Sequence, residues 1–166
     1  MTSVQTDRLI LEPLGPAHAE KLFTLLSDPR LYAFLDDDPP ASKSILEARY
    51  RRWGAGRSPD GAEVWLNWAA RLRDTDEYVG WFQATIASEH AQIAYLVFVP
   101  HQRKGFALEA SREIIRHLTI DRNVRRIRAT ADPKNHASVA LAKALGLTVT
   151  NPGERGGGDV ILEATY

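Results

Sequence analysis

The chain has 166 residues, 44% of them hydrophobic and 25% charged, which fits one soluble globular domain spanning residues 1–166. Its formal net charge is zero, so no global field draws it to nucleic acid or to an anionic membrane, and no apolar run approaches the ~20 residues that cross a bilayer. The lack of cysteine excludes disulfides, thiolate catalysis and Cys-based zinc sites, and the opening residues lack the basic-then-apolar pattern of a signal peptide, so a cytoplasmic protein is expected.

The first element is Arg8-Leu9-Ile10-Leu11-Glu12, an apolar run ended by Pro13, which reads as a strand. Ala19, Leu22, Phe23, Leu25 and Leu26 recur at helical spacing until Asp28-Pro29, and residues 31–35 extend this by a turn. Asp36-Asp37-Asp38-Pro39-Pro40 reads as a loop. Ser42 caps a helix to about Trp53, and residues 54–61 are a turn-rich break. Strands are expected at 64–72, 78–87 and 91–99, the last two forming a hairpin around Ser88-Glu89-His90.

After a loop containing Gly105 comes the clearest helix. Ala107, Leu108, Ala110, Ser111, Ile114, Ile115 and Leu118 share one face, while Glu109, Arg112, Glu113 and Arg116 share the wet one, with Glu109 expected to pair with Arg112. A strand at 126–131 follows, then a helix opened by Asn135 and stopped at Gly146, then strands at 148–150 and 160–165 around a glycine-rich loop at 153–158. This order, β-α-α-β-β-β-α-β-α-β-β, implies an α/β (α+β) fold with a mixed, mostly antiparallel seven-stranded sheet flanked by helices. The strand-helix-strand unit from 91 to 131 permits one parallel pair.

The segment that carries chemistry is Val99-Pro100-His101-Gln102-Arg103-Lys104-Gly105-Phe106-Ala107, where a strand ends, a short loop follows and a helix begins. A helix start offers unpaired N–H groups and a partial positive charge, Gly105 allows close approach, and Arg103 and Lys104 add charge. The residues alone leave two readings open: a pyrophosphate cradle, or an ordinary strand-to-helix turn with two exposed cations.

Gln102-x-x-Gly105-x-Ala107 resembles the pyrophosphate motif Q/R-x-x-G-x-G/A of the GNAT superfamily of N-acetyltransferases. Phe106-Ala107-Leu108-Glu109-Ala110, Asn135-His136-Ala137-Ser138, Lys143-Ala144-Leu145-Gly146-Leu147 and the opening Thr6-Asp7-Arg8-Leu9-Ile10-Leu11-Glu12-Pro13-Leu14 resemble its ribosomal-protein (Rim-type) branch. The resemblance implies acetyl transfer from acetyl-CoA to a primary amine, of a small molecule or a protein N-terminus, by direct attack in a ternary complex without a metal. It implies a sheet splayed between the strand ending at Val99 and that ending at Ala131, with the pantetheine arm against Val97, Phe98 and Val99 and the pyrophosphate on the amides of Arg103, Lys104, Gly105, Phe106 and Ala107. A homodimer is common in the family, and neither nucleic acid nor membrane is an expected partner. A catalytically silent acyl-CoA-binding module is the rival reading.

Asn135 reads both as a helix cap and as a cofactor contact, and Ser138 as a first-turn residue or as proton donor to the departing thiolate. Many family members place a tyrosine four residues before the helix-ending glycine, where this chain has Ala142. No carboxylate lies within 91–99, so the candidate bases are Glu89 and His90 at its start, or a water chain. Tyr95 either packs in the strand or touches the acceptor and cofactor region. Asp36 and Asp37, with Asp38, form a solvated turn or an acidic lip that attracts a cationic amine. Trp53, Trp65, Trp68 and Trp81 read mainly as core, with one or two available to the acceptor pocket.

Overall fold

Strand alternation sorts the apolar residues into two cores. Leu66, Trp68 and Ala70 of one strand face a first cluster, while Ala69 between them faces a second. In the computed structural model of the chain, which describes residues 2–153 and 158–166, this strand lies inside a mixed sheet. Its members are β1 (Val4–Gln5), β2 (Leu9–Pro13), β3 (Val64–Leu72), β4 (Tyr78–Ala87), β5 (His90–Val97), β6 (Arg126–Ala131), β7 (Thr148–Asn151) and β8 (Val160–Thr165), in the spatial order β1-β2-β3-β4-β5-β6-β8-β7. Every neighbouring pair is antiparallel except β5 and β6, which a helix connects. The sheet therefore has eight strands among the described residues, not seven. The extra one, β1, is two residues long and too short to show any period.

Helices α1 (His18–Leu26) and α2 (Lys43–Trp53) cover one face, where Leu22, Leu26, Leu46 and Tyr50 meet Ala69, Leu96 and Phe98. Helices α3 (Phe106–Arg116) and α4 (His136–Ala144) cover the other, where Ala110, Ile114 and Ala142 meet Trp68, Phe82 and Ile127. Local chemistry sets the helix ends. Ser42 Oγ accepts from the Ile45 amide at 3.2 Å and opens α2. Gly146, at φ 91°, closes α4: its amide donates to Lys143 O at 2.9 Å and that of Leu147 to Ala142 O at 3.1 Å, a Schellman closure.

Three expectations are corrected. The strand expected to run to Val99 ends at Val97, because Pro100 sits in a 3₁₀ turn over Val99–His101. The turn expected at 31–35 is a 3₁₀ helix over Pro29–Tyr32, capped by Asp28. Beyond α3 the chain continues as a π turn over His117–Asp121, which no periodicity signalled. The expected glycine-rich loop at 153–158 lies largely outside the described residues. Among the described residues, no helix is long and apolar enough to cross a membrane.

Candidate active site

The parallel pair positions the site. β5 and β6 are in register only at His90–Arg126, Ala91–Ile127 and Gln92–Arg128. Beyond those three pairs β5 stays on β4 as far as Val97, while β6 stays on β8 as far as Ala131, so the sheet opens into a V. Gln92 Nε2 donates to Thr130 Oγ1 at 3.3 Å near its apex. A cavity of about 500 Å³ occupies the gap, walled by Ile93, Ala94 and Tyr95 on one side and Ala129, Thr130 and Ala131 on the other. Asn135, Ser138 and Ala142 of α4 border it, as do Asp132, Asp159 and Leu162, and residues Ala33, Phe34, Leu35 and Asp36 reach it from the loop before α2.

Beyond the end of β5, the 3₁₀ turn leads into the loop before α3. Arg103 and Gly105 both have positive φ, 63° and 83°. Left-handed residues in such a turn direct successive amides into one concavity, the geometry of an anion nest. Among the described residues, none of the amides of Arg103, Lys104, Gly105, Phe106 and Ala107 donates to a backbone carbonyl, and the first helical bond is Glu109 N to Gly105 O at 3.1 Å. The nest therefore has free donors, a helix N-terminus and two exposed cations, Arg103 and Lys104. Arg103 is a non-glycine residue held left-handed, at a cost of about 1–2 kcal/mol, and such strain gathers where a loop must present its backbone. These groups fit the pyrophosphate of an acyl-CoA.

The other residues expected here divide into two groups. Gln102 Nε2 donates to Val97 O at 3.0 Å, fastening the loop to the strand end. The Phe98 amide donates to Val79 O at 2.8 Å and its side chain is buried in the α1/α2 core, so Phe98 serves the sheet. Asn135 Oδ1 accepts from the Ser138 amide at 3.1 Å, which makes it the cap of α4, and its side chain still borders the cavity. Ser138 borders the same space. Tyr95 Oη donates to Ser138 O at 3.4 Å, and burial pushes its phenol pKa up.

Glu89 and His90 are not brought to the cavity. They sit at the start of β5, in the closed end of the V where β5 and β6 are paired, and Glu89 is exposed with its carbonyl bound by the Arg125 and Arg126 amides. Of the acidic loop, Asp36 lines the cavity, whereas Asp37 Oδ2 accepts from Arg49 Nη1 at 3.0 Å and is tied to α2. No tryptophan is in the lining; Trp53 packs on Trp81 at 5.7 Å and Trp68 is fully buried. Glu109 does not pair with Arg112. It takes Arg8, 2.6 Å away, because the β1–β2 turn lies against the start of α3. Sequence reasoning passed over Asp132 and Asp159, which turns at strand ends carry to the cavity, and the segment Ala33–Leu35. Among the described residues no group of His, Asp or Glu is arranged to hold a metal ion.

The model of the Acetyltransferase (GNAT) domain matches residues 8–148. Among solved structures, an acetyltransferase (GNAT family) from Bacillus anthracis superposes with a TM-score of 0.81 at 14% identity, covering 98% of each chain. A RimL ribosomal L7/L12 α-N-protein acetyltransferase in complex with coenzyme A gives 0.85 at 17% identity, covering 98% of this chain and 97% of that one. An acetyltransferase from Agrobacterium tumefaciens gives 0.74 at 19% identity, over 100% and 95%. No curated protein matches the sequence. At these identities the solved structures speak for the fold.

Proposed function

The chain belongs to the GNAT acetyltransferase-domain family and is an acetyl-CoA-dependent N-acetyltransferase, and on that premise we propose that it acetylates a primary amine, of a protein or peptide N-terminus or of a small molecule, by direct attack in a ternary complex. The observation that carries this reading is the pairing of a free five-amide nest with a splayed sheet whose cavity is acidic. The cations Arg103 and Lys104 stand at the nest, while Asp36, Asp132 and Asp159 line the cavity, which among the described residues has no Lys, Arg or His. One end thus suits an anionic cofactor and the other a cationic amine.

Acetyl-CoA supplies an acetyl group activated as a thioester. The amides of Arg103, Lys104, Gly105, Phe106 and Ala107 hold its phosphates, as charge-assisted hydrogen bonds do. Backbone groups of β5 beyond Gln92 that face the gap have no partner in β6 and are available to an extended ligand, as at any sheet edge. Asp36 attracts the ammonium group, and its proton leaves through a cavity carboxylate, Asp36 foremost, or through water. The Ser138 hydroxyl donates a hydrogen bond to the departing sulfur, where charge grows as the reaction proceeds. Ala142 has no proton to offer.

The displaced positions of Glu89 and His90 favour, as a second reading, a module that binds acyl-CoA without turnover. Release of CoA thiol from acetyl-CoA, with an alanine-initiated peptide and a set of small amines as acceptors, separates the two. Transfer requires amine-dependent release; binding without release supports the silent module.

A further inference from the structure

One arginine ties the amino-terminal edge of the sheet to the phosphate loop. Thr6 Oγ1 and the Arg8 amide both donate to Glu109 Oε1, at 2.5 and 2.8 Å. Arg8 Nε donates to Glu109 Oε2 at 2.6 Å, and Arg8 Nη1 donates to the Lys104 carbonyl at 3.1 Å. The guanidinium also lies over the Phe106 ring, 4.6 Å from its centroid, and a β-carbon added to Gly105 would stand 3.3 Å from Arg8 Nη2. A planar guanidinium is thereby engaged on two edges and one face, which the point charge of lysine cannot reproduce. Partial burial opposes ionisation of Glu109, but the bonds from Thr6 and Arg8 outweigh it and hold its carboxyl below the usual glutamate range.

This arrangement bears directly on the nest. The Lys104 carbonyl and the Gly105 N–H belong to one peptide group, whose plane is fixed. A cation on that carbonyl sets the plane and polarises the unit, so the Gly105 N–H becomes a stronger donor on the opposite side. Glu109 needs the same partner. It stands in the first turn of α3, where an unpaired carboxylate would repel an anion bound at the helix start. Arg8 cancels that charge while being anchored by it.

We propose that Arg8 is a positioning residue for the phosphate end of the cofactor, held by Glu109 and acting through the Lys104 carbonyl on the Gly105 amide. The inference rests on the acetyl-CoA reading above. Its test is the affinity of the full chain for CoA, by calorimetry, in the wild type and in Arg8→Ala, Arg8→Lys, Glu109→Gln and Arg8→Ala/Glu109→Gln. Arg8→Ala is expected to weaken CoA by about tenfold, the loss of one charge-assisted contact. Arg8→Lys should restore less than half of that on a logarithmic scale, since one ammonium cannot bridge Glu109 and Lys104 together.

Glu109→Gln gives the sharpest sign. Removing a negative charge beside an anion site would by Coulomb's law alone tighten CoA; loss of the anchor should weaken it, and the double variant should be no worse than Arg8→Ala. In the ligand-free protein the Gly105 amide proton should move upfield in Arg8→Ala, a signature that a remote stabilising role would not produce. A folded Arg8→Ala with CoA affinity within about twofold of wild type, a difference small beside the tenfold loss of a charged contact, or a Glu109→Gln that binds more tightly, overturns the inference alone. If Arg8→Ala does not fold, Glu109→Gln decides by the same sign. Wild-type protein that fails to bind CoA overturns the functional reading and this inference with it.

Discussion

Replacing Gly105 by valine should cost cofactor affinity far more than fold. Gly105 has φ 83°, where an L-residue costs about 1–2 kcal/mol. The added β-carbon meets only Arg8 Nη2, at 3.3 Å, the end of a side chain that can move, so the backbone need not shift. For a chain of this size 1–2 kcal/mol lowers Tm by roughly 2–8 °C. The ligand loses more. Valine crowds the nest and pushes Arg8 off the Lys104 carbonyl, and losing one charge-assisted contact, about 1.5–3 kcal/mol, weakens CoA by roughly 10- to 100-fold. Asparagine tolerates positive φ better, so Gly105→Asn should recover most of the Tm and little of the affinity, separating backbone strain from crowding. Calorimetry with CoA and thermal melts read both quantities. A folded Gly105→Val that binds CoA as tightly as wild type would refute the placement of the phosphates in this loop.

Ligand linkage gives a companion expectation: CoA at about 100 times its Kd should add about 2.7 kcal/mol, a rise in Tm of roughly 5–11 °C, and no rise at millimolar CoA would remove the basis for the cradle. Ser138→Ala should lower kcat by about 10²-fold, the low end for positioned acid catalysis, with CoA affinity little changed; full kcat in that variant would leave Ser138 as a helix-start residue only. Because Asp36 faces the cavity and Asp37 is held by Arg49, Asp36→Asn should raise the acceptor KM more than Asp37→Asn, with a difference that shrinks as salt increases. Glu109 titrates below its ordinary value of 4.5, so its contribution to stability is complete above that pH and is lost as pH falls through the lower folded value. Melts of Glu109→Gln should therefore lie below wild type on the neutral plateau and converge with it in acid, giving a shallower acid limb, and an unchanged plateau and acid limb would deny the carboxylate that role. Gly80→Ala should destabilise toward the upper end of about 1–3 kcal/mol, since its β-carbon would fall 2.2 Å from the Leu96 carbonyl of the neighbouring strand; a wild-type Tm would contradict the β4–β5 register.

Much of this frame was legible in the sequence where a local rule acts alone. The bounds of β3, β4, β6 and β8 follow from alternation and flanking turns, and the ends of α2 and α4 follow from Ser42 and Gly146. The phosphate loop was legible because Gly105 and the helix after it form one continuous segment. What could not be read is what distant segments do to each other. Wet-face spacing offered Arg112 to Glu109, but the packing of the β1–β2 turn on α3 delivered Arg8 from 101 residues away. Glu89 and His90 were plausible bases by type, and only the pairing pattern puts them in the closed end of the V. Asp132 and Asp159 carry no local mark of function; the splay of two strands makes them neighbours of the same cavity.

The most direct measurement is CoA thiol release from acetyl-CoA in the presence of an alanine-initiated peptide or a small primary amine, with mass spectrometry of the acceptor in the same reaction. The expected result is amine-dependent release matched one-to-one by acetylated amine, with N-blocked acceptors inert. The contradicting result is a protein that CoA stabilises against heat but that releases no thiol with any amine.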